Sequence, residues 1–356
     1  MSALYLDANA SMPPVPAARA AALAALDVVG NPSSPHALGR AARCLLDEAR
    51  DAVATALGAQ AREVVFCSGA SEANRWLVDA AVRAGRTIWC SPLEHPSLAK
   101  PAALVPAPLR AARPEDADVV CCTAAHNETG VVPELTELLA RVRSDAVVCV
   151  DAAQACGRLP PLPGRVDAVV ASAHKMGGIA GAGALVLRGR ARALPAPWAG
   201  GGQEGGLRPG TEPLCAIAAF GAAARAVAST RAAHAALAPL RDRLERALVA
   251  AWGGRVLGAD RPRLPNTSAL VVPDVDGAAL RIAIDLAGVC VGFGAACSAL
   301  APEPSPALLS LGLTPAEAQA TVRLSLAPGQ DGAMVDEALA RLAPVVAALR
   351  TAGKRP

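Results

Sequence analysis

Lysine is almost missing from this sequence. Only Lys100, Lys175 and Lys354 occur, and every other basic residue apart from five histidines is arginine. Aromatic residues make up 2%, so Ala, Val and Leu must fill the interior. No basic stripe and no interleaving of aromatic with basic residues accompanies the net charge of +3, which argues against nucleic acid as a direct ligand. The longest apolar stretch, Leu214 to Ala224, is too short to span a bilayer. The opening MSALYLDANASMPP lacks a basic n-region, and Asp7 falls where a signal peptide would be apolar. These absences predict a soluble cytoplasmic chain with no membrane contact. The ten cysteines form no C-x-x-C pair, and most end apolar segments where a small thiol packs well. That excludes a disulfide framework and a zinc site, and we expect no metal. There is no G-K-[ST] loop and no H-E-x-x-H helix. The G-I-A-G-A-G stretch, Gly178 to Gly183, precedes a strand where a dinucleotide fingerprint would follow one.

What is present is length and apolar content. The chain has 356 residues, 53% of them hydrophobic, which suits a large domain with a smaller companion. Between Arg62 and Arg188, continuous apolar runs alternate with helical stretches. The predicted strands are 63–67, 87–91, 119–123, 147–151, 168–171 and 184–187, with helices over 71–84 and 134–143. Unbroken apolar runs mark strands buried on both faces, and their alternation with helices marks a mainly parallel α/β sheet. A long Ala/Leu/Arg helix is expected over 213–252. A strand over 266–272, a helix over 277–287, a strand over 289–292 and a closing helix over 330–348 form a second, smaller α+β unit. The expected division is a large domain over 13–250 and a small one built from 1–12 and 251–356.

Three features fall at predicted strand ends, where sites gather in such sheets. Ser68-Gly69-Ala70-Ser71 follows one strand and opens a helix, where bare backbone N–H groups can meet an anion. A plain tight turn has the same letters. Asp151 ends an otherwise apolar strand and needs a partner, such as a protonated pyridine nitrogen. With Gln154 three residues on, it equally reads as a helix cap. Lys175, in Ser172-Ala173-His174-Lys175-Met176-Gly177-Gly178, follows a third strand. In a chain that otherwise uses arginine, a retained lysine asks for a reason. Lysine can deprotonate and form a Schiff base, and arginine cannot.

From these residues outward, the chain resembles the cysteine desulfurases of the NifS/IscS type, within the class V aminotransferase group of fold-type I pyridoxal-phosphate (PLP) enzymes. The ordered matches run through Tyr5-Leu6-Asp7, Gly30-Asn31-Pro32-Ser33-Ser34, Glu94-His95, Asn127-Glu128-Thr129-Gly130, Val150-Asp151-Ala152-Ala153-Gln154 and Ser172-Ala173-His174-Lys175. They continue through Gly200-Gly201-Gly202-Gln203-Glu204, Arg208-Pro209-Gly210-Thr211, Ala296-Cys297-Ser298, Glu303-Pro304-Ser305 and Arg323-Leu324-Ser325-Leu326. The resemblance implies a fold-type I PLP-dependent transferase. Lys175 carries the cofactor, His95 stacks on its ring and relays protons, Asp151 pairs with the ring nitrogen and Gln154 with the phenolic oxygen. Ala70, Ser71, Ser172 and His174 hold the phosphate, and Thr211 reaches the phosphate of the other subunit of a homodimer. Asn127 and Arg323 take the carboxylate of L-cysteine, and Cys297 receives its sulfur as a persulfide for a protein acceptor.

The chain also departs from that pattern. Ile179-Ala180 stand for Pro-Lys in the turn after the lysine, Gly205 for Arg, Pro209 for Ser, Arg75 for Asn, and Ala295 for Ser before the cysteine. By the resemblance, we expect no C-terminal extension of the kind that docks an iron–sulfur scaffold. These departures point to a specialised relative with a different or narrower acceptor. Two other readings are a selenocysteine lyase or another PLP enzyme of the same fold, and a weakly active partner protein. Cys297 discriminates against the first, and the intact Lys175, His95, Asp151, Gln154 and Arg323 against the second.

Overall fold

The computed structural model describes residues 3–162, 165–294 and 303–352. By its contacts the chain divides into two units. One comprises Met12–Ala124 and Pro133–Ser229; the other comprises Met1–Ser11, Ala125–Val132 and Thr230–Pro356. A two-residue strand, β1 (Leu4–Tyr5), opens the described chain and belongs to the second of these.

The first unit is built on a six-stranded sheet with the order β2-β7-β6-β5-β4-β3. Its strands are β2 (Val64–Cys67), β3 (Ile88–Cys90), β4 (Val119–Thr123), β5 (Val147–Asp151), β6 (Ala168–Ser172) and β7 (Gly183–Leu187). Strands β3 to β6 pair in parallel, and β7 runs antiparallel to both β6 and β2. The mainly parallel sheet expected from the apolar runs is therefore present, with β7 reversed. Every residue of β4, β5, β6 and β7 is buried, as burial under helices on both faces requires. Helices α1 (Pro16–Ala25), α2 (Ala37–Leu57), α3 (Ala70–Arg83), α4 (Pro96–Ala103), α5 (Leu135–Arg141) and α6 (Leu214–Arg225) flank it. With few aromatics available, the helices pack through small residues. A Cβ on Gly221 of α6 would lie 2.7 Å from the Ala49 Cα of α2. On the other face Trp76, Leu77 and Ala80 of α3 close over Val119, Cys121, Cys149 and Val170.

Three thiols share one rung of this sheet. Cys90 pairs in register with Cys121, and Cys121 with Cys149. Hydrogen bonding to Cys121, together with burial, pushes the Cys90 thiol far up, and Cys121 is raised likewise. Burial lifts Cys67 and Cys156 to about 12. Such thiols stay protonated and inert. Nine cysteines among the described residues are free; four are buried, four partly buried and only Cys44 is exposed.

The single helix expected over 213–252 is three helices: α6, α7 (Val227–Ala235) and α8 (Ala238–Trp252). Pro239 sits at the N-terminus of α8, because inside a helix it would lack an N–H and clash with the preceding turn. Nothing in the side chains around Ala226 explains the first break. The contacts also place the division at Ser229/Thr230, so residues 230–250 and 125–132 group apart from the rest of the 13–250 segment. Leu244, Leu248 and Trp252 of α8 are the reason, since they share one core with Val335, Leu342 and Val346.

The second unit holds a four-stranded antiparallel sheet in the order β11-β12-β9-β8. Its strands are β8 (Arg255–Val256), β9 (Thr267–Val271), β11 (Gly292–Phe293) and β12 (Thr321–Ser325), while β10 (Val289–Cys290) pairs separately with β1. The strand expected over 289–292 is thus split between two sheets. Helices α9 (Gly277–Leu286), α10 (Pro306–Ser310), α11 (Pro315–Gln319) and α12 (Gly332–Ala352) complete the unit. No helix among the described residues is long and apolar enough to cross a membrane.

Candidate active site

The carboxyl ends of β2, β5 and β6 carry the chemistry of the first unit. After β2 the chain turns through Ser68 and Gly69 into α3. Here Ser68 N–H donates to Glu72, which pairs with Arg208 at 2.8 Å. The start of β7 presses backbone to backbone on this turn. A Cβ on Gly183 would lie 2.6 Å from the Gly69 Cα, and one on Gly69 would lie 3.9 Å from the Ser172 hydroxyl. Glycine is therefore required at 183, and the turn at Gly69 lies beside Ser172 at the end of β6. Ala70 and Ser71 form the first turn of α3, with Ser71 exposed.

Asp151 ends β5 and is 7% exposed. One carboxylate oxygen accepts from Ala153 N–H at 2.9 Å, and the other from the Asn74 amide at 2.7 Å. Gln154, 4% exposed, accepts from the Arg158 guanidinium. Arg158 is itself buried, so Gln154 turns its oxygen toward a donor-only group. Ser172 ends β6, and Ala173–Lys175 form one 3-10 turn that presents Lys175. Two hydrogen bonds steady this turn: Met12 N–H to the His174 carbonyl at 2.9 Å and Gly178 N–H to the Ala173 carbonyl at 2.9 Å. Gly177 has φ +88°, which a side chain would strain, and a Cβ there would strike Val15 at 2.8 Å. Burial, then the nearby charges of Lys175 and Arg158, lower the His174 pKa to about 4, so its ring is neutral. His95 caps α4, accepting at Nδ1 from Ser97 N–H at 3.1 Å. Thr211 lies exposed before α6.

The second unit carries Asn127 and Arg323, both buried. Arg323, on β12, donates to the Asn127 carbonyl at 3.1 Å and to the Asp7 carboxylate at 2.5 Å. Gly292 is glycine because a Cβ there would meet the Arg323 guanidinium at 2.5 Å. The Arg323 Nε has no partner among the described residues. Ser305 caps α10 and donates to buried Glu128 at 2.7 Å. Cys297 lies outside the described residues.

Residues 4–108 and 104–337 match the aminotransferase class-V family. The chain belongs to that family. It is 35% identical to a cysteine desulfurase of Cereibacter sphaeroides, covering 98% of this chain and 97% of the relative. A cysteine desulfurase of Klebsiella pneumoniae is 32% identical over 98% of this chain and 94% of its own. The solved NifS-like protein of Rickettsia africae superposes with a TM-score of 0.86 at 26% identity, covering 96% of this chain and 99% of the other.

Class-V aminotransferases work with PLP, and the residues of the first unit fit it. A lysine stands after one buried strand and a buried carboxylate ends its neighbour. The N-terminus of α3 lies beside a serine hydroxyl at the end of β6, as a phosphate group needs. Lys175, Asp151, Ser172 and the α3 N-terminus would hold the cofactor.

Sequence reasoning missed Asn74, Ser97, Arg158 and Glu94 as contributors. Glu94 was visible only as a letter beside His95. It is 4% exposed, and burial followed by the Asp151 charge raises its pKa well above 4.5. The folded chain therefore keeps a proton that the unfolded chain releases above 4.5. The resulting stabilisation is complete below 4.5 and is lost as the pH climbs toward the folded value, by about 1.4 kcal/mol for each pH unit climbed. Glu94→Gln cannot ionise, so it is expected to gain on the parent as the pH rises above 4.5. Thermal melts of the two apoproteins read this, and a gap that does not change with pH would refute it.

Proposed function

We propose that this chain is a PLP-dependent cysteine desulfurase, converting L-cysteine to L-alanine and leaving a persulfide on Cys297. The observation that carries the reading is Lys175 presented at the end of β6, next to the strand that ends in buried Asp151. The alignment with curated desulfurases over 98% of the chain supports it.

Bound PLP supplies an electron sink that loosens the substrate's Cα–H and Cβ–S bonds. Asp151 keeps the ring nitrogen protonated, and Asn74 and Ala153 N–H hold that carboxylate in place. Gln154, turned by Arg158, offers its NH2 to the phenolic oxygen. Ala70, Ser71, Ser172 and neutral His174 would receive the phosphate, and Thr211 would serve the partner subunit's phosphate in a homodimer. Arg323 and Asn127 bind the substrate carboxylate, and Asp7 orients the guanidinium. The Lys175 amine takes the Cα proton, and His95 would help hold the ring. The Cys297 thiolate attacks the substrate sulfur as the Cβ–S bond breaks. The electron pair goes to carbon, which takes up a proton and leaves as the methyl of alanine, and the sulfur stays on Cys297. An acceptor protein then removes it. The ordered free thiols support a reducing, cytoplasmic setting.

Purified protein reconstituted with PLP is expected to show a band near ~420 nm. Given cysteine and a reductant, it should release alanine and sulfide in equal amounts. Alanine without sulfide, or turnover of selenocysteine alone, would overturn the assignment.

A further inference from the structure

We propose that Ser97 and Asn74 are positioning residues that fix the tautomer of His95 and tie its ring to the Asp151 carboxylate through one chain of hydrogen bonds. The role given to His95 rests on the desulfurase reading; the chain of bonds itself does not. Asn74 Nδ2 lies 2.7 Å from Asp151 Oδ2 and 2.9 Å from Ser97 Oγ, and Ser97 Oγ lies 2.8 Å from His95 Nδ1. Four side chains from α3, α4 with its cap and the end of β5 are thereby linked without a gap.

Donor chemistry gives this chain a single direction. A carboxylate oxygen only accepts, so the Asn74 amide must present its NH2 to Asp151. Its second N–H goes to Ser97, and Asn74 acts purely as a donor. Asn74 is 1% exposed and its Oδ1 has no partner among the described residues. Ser97 Oγ accepts from Asn74 and keeps its own proton to donate to His95 Nδ1, which the backbone contact marks as an acceptor. The Ser97 backbone N–H donates to the same Nδ1 at 3.1 Å. Two donors converge on one lone pair, so the neutral ring carries its proton on Nε2.

An ordinary helix cap needs only the backbone N–H. It does not call for a second donor, nor for a buried amide that leaves its oxygen unpaired in order to reach two side chains at once. The consequence for the reaction is a division of labour. His95 offers an N–H and no lone pair at Nε2, so it donates, and the Cα proton falls to the Lys175 amine.

The test uses the apoprotein labelled with 15N-histidine, read by long-range 1H–15N correlation and assigned with His95→Gln. The parent should show a bare Nδ1 and a protonated Nε2. Asp151→Asn should move the His95 Nδ1 resonance, and the same change made in Ser97→Ala should leave it where it was. Ser97→Thr, which restores a hydroxyl, should restore the response. A proton on Nδ1, or a response to Asp151→Asn that survives Ser97→Ala, would overturn the proposal. The measurement needs no cofactor and no turnover. Failure of the ~420 nm band would therefore sink the desulfurase reading and leave this chain of bonds standing.

Discussion

Lys175→Ala is expected to lower alanine formation by about 10⁴-fold or more, because it removes both the cofactor's covalent anchor and the base for the Cα proton. Lys175→Arg should be no better, since a guanidinium stays protonated and cannot take part in either task. The structure makes the position hard to replace. Lys175 stands on a one-turn helix directly after β6, pinned by Met12 N–H at His174 and by the turn at Gly177. Lys100, in the last turn of α4, is exposed. Borohydride reduction of the loaded protein followed by peptide mapping should label Lys175. A label on Lys100, or none, would refute the assignment.

Cys297→Ala or Cys297→Ser is expected to keep the cofactor and still bind cysteine, but to make no protein persulfide and almost no alanine. Residual turnover of roughly a hundredth or less of the parent is the scale that loss of a catalytic nucleophile implies. Mass spectrometry of the intact protein after cysteine addition, with alanine measured alongside, reads both halves. Each of the other nine cysteines, replaced singly, should leave desulfuration largely intact. Alanine and sulfide released at the parent rate by Cys297→Ala would replace this mechanism with that of a general PLP lyase acting on a C–S bond.

Much of the fold is legible in the amino-acid letters, because buried parallel strands leave a strong trace. The runs at 119–123 and 147–151 coincide with β4 and β5, since residues covered on both faces must nearly all be apolar. Lys175 stands out through its rarity, and Asp151 through its place at the end of such a run. What stays hidden depends on distance in space. Nothing in the letters of α3 shows that Asn74 reaches Asp151, 77 positions away in sequence. Arg158 reads as one more arginine in an arginine-rich chain until its burial beside Gln154 is seen. The continuous 213–252 helix fails for a different reason. Alanine, leucine and arginine favour a helix everywhere, and a reading by composition passes over Pro239, the one letter in the sequence that marks the start of α8.

The rung of thiols across β3, β4 and β5 has a bearing on self-poisoning. On the desulfurase reading, turnover generates sulfane sulfur, an electrophile that any thiolate would consume. Holding Cys67, Cys90, Cys121, Cys122 and Cys156 as neutral thiols, through burial and mutual hydrogen bonding, makes the interior chemically deaf to that product. Sulfur set loose by turnover then meets only Cys44 as an exposed thiol among the described residues. A sheet rich in cysteine thus serves as ordinary apolar filling, and the thiol most open to side reactions among the described residues is Cys44 on α2, where damage to packing is least.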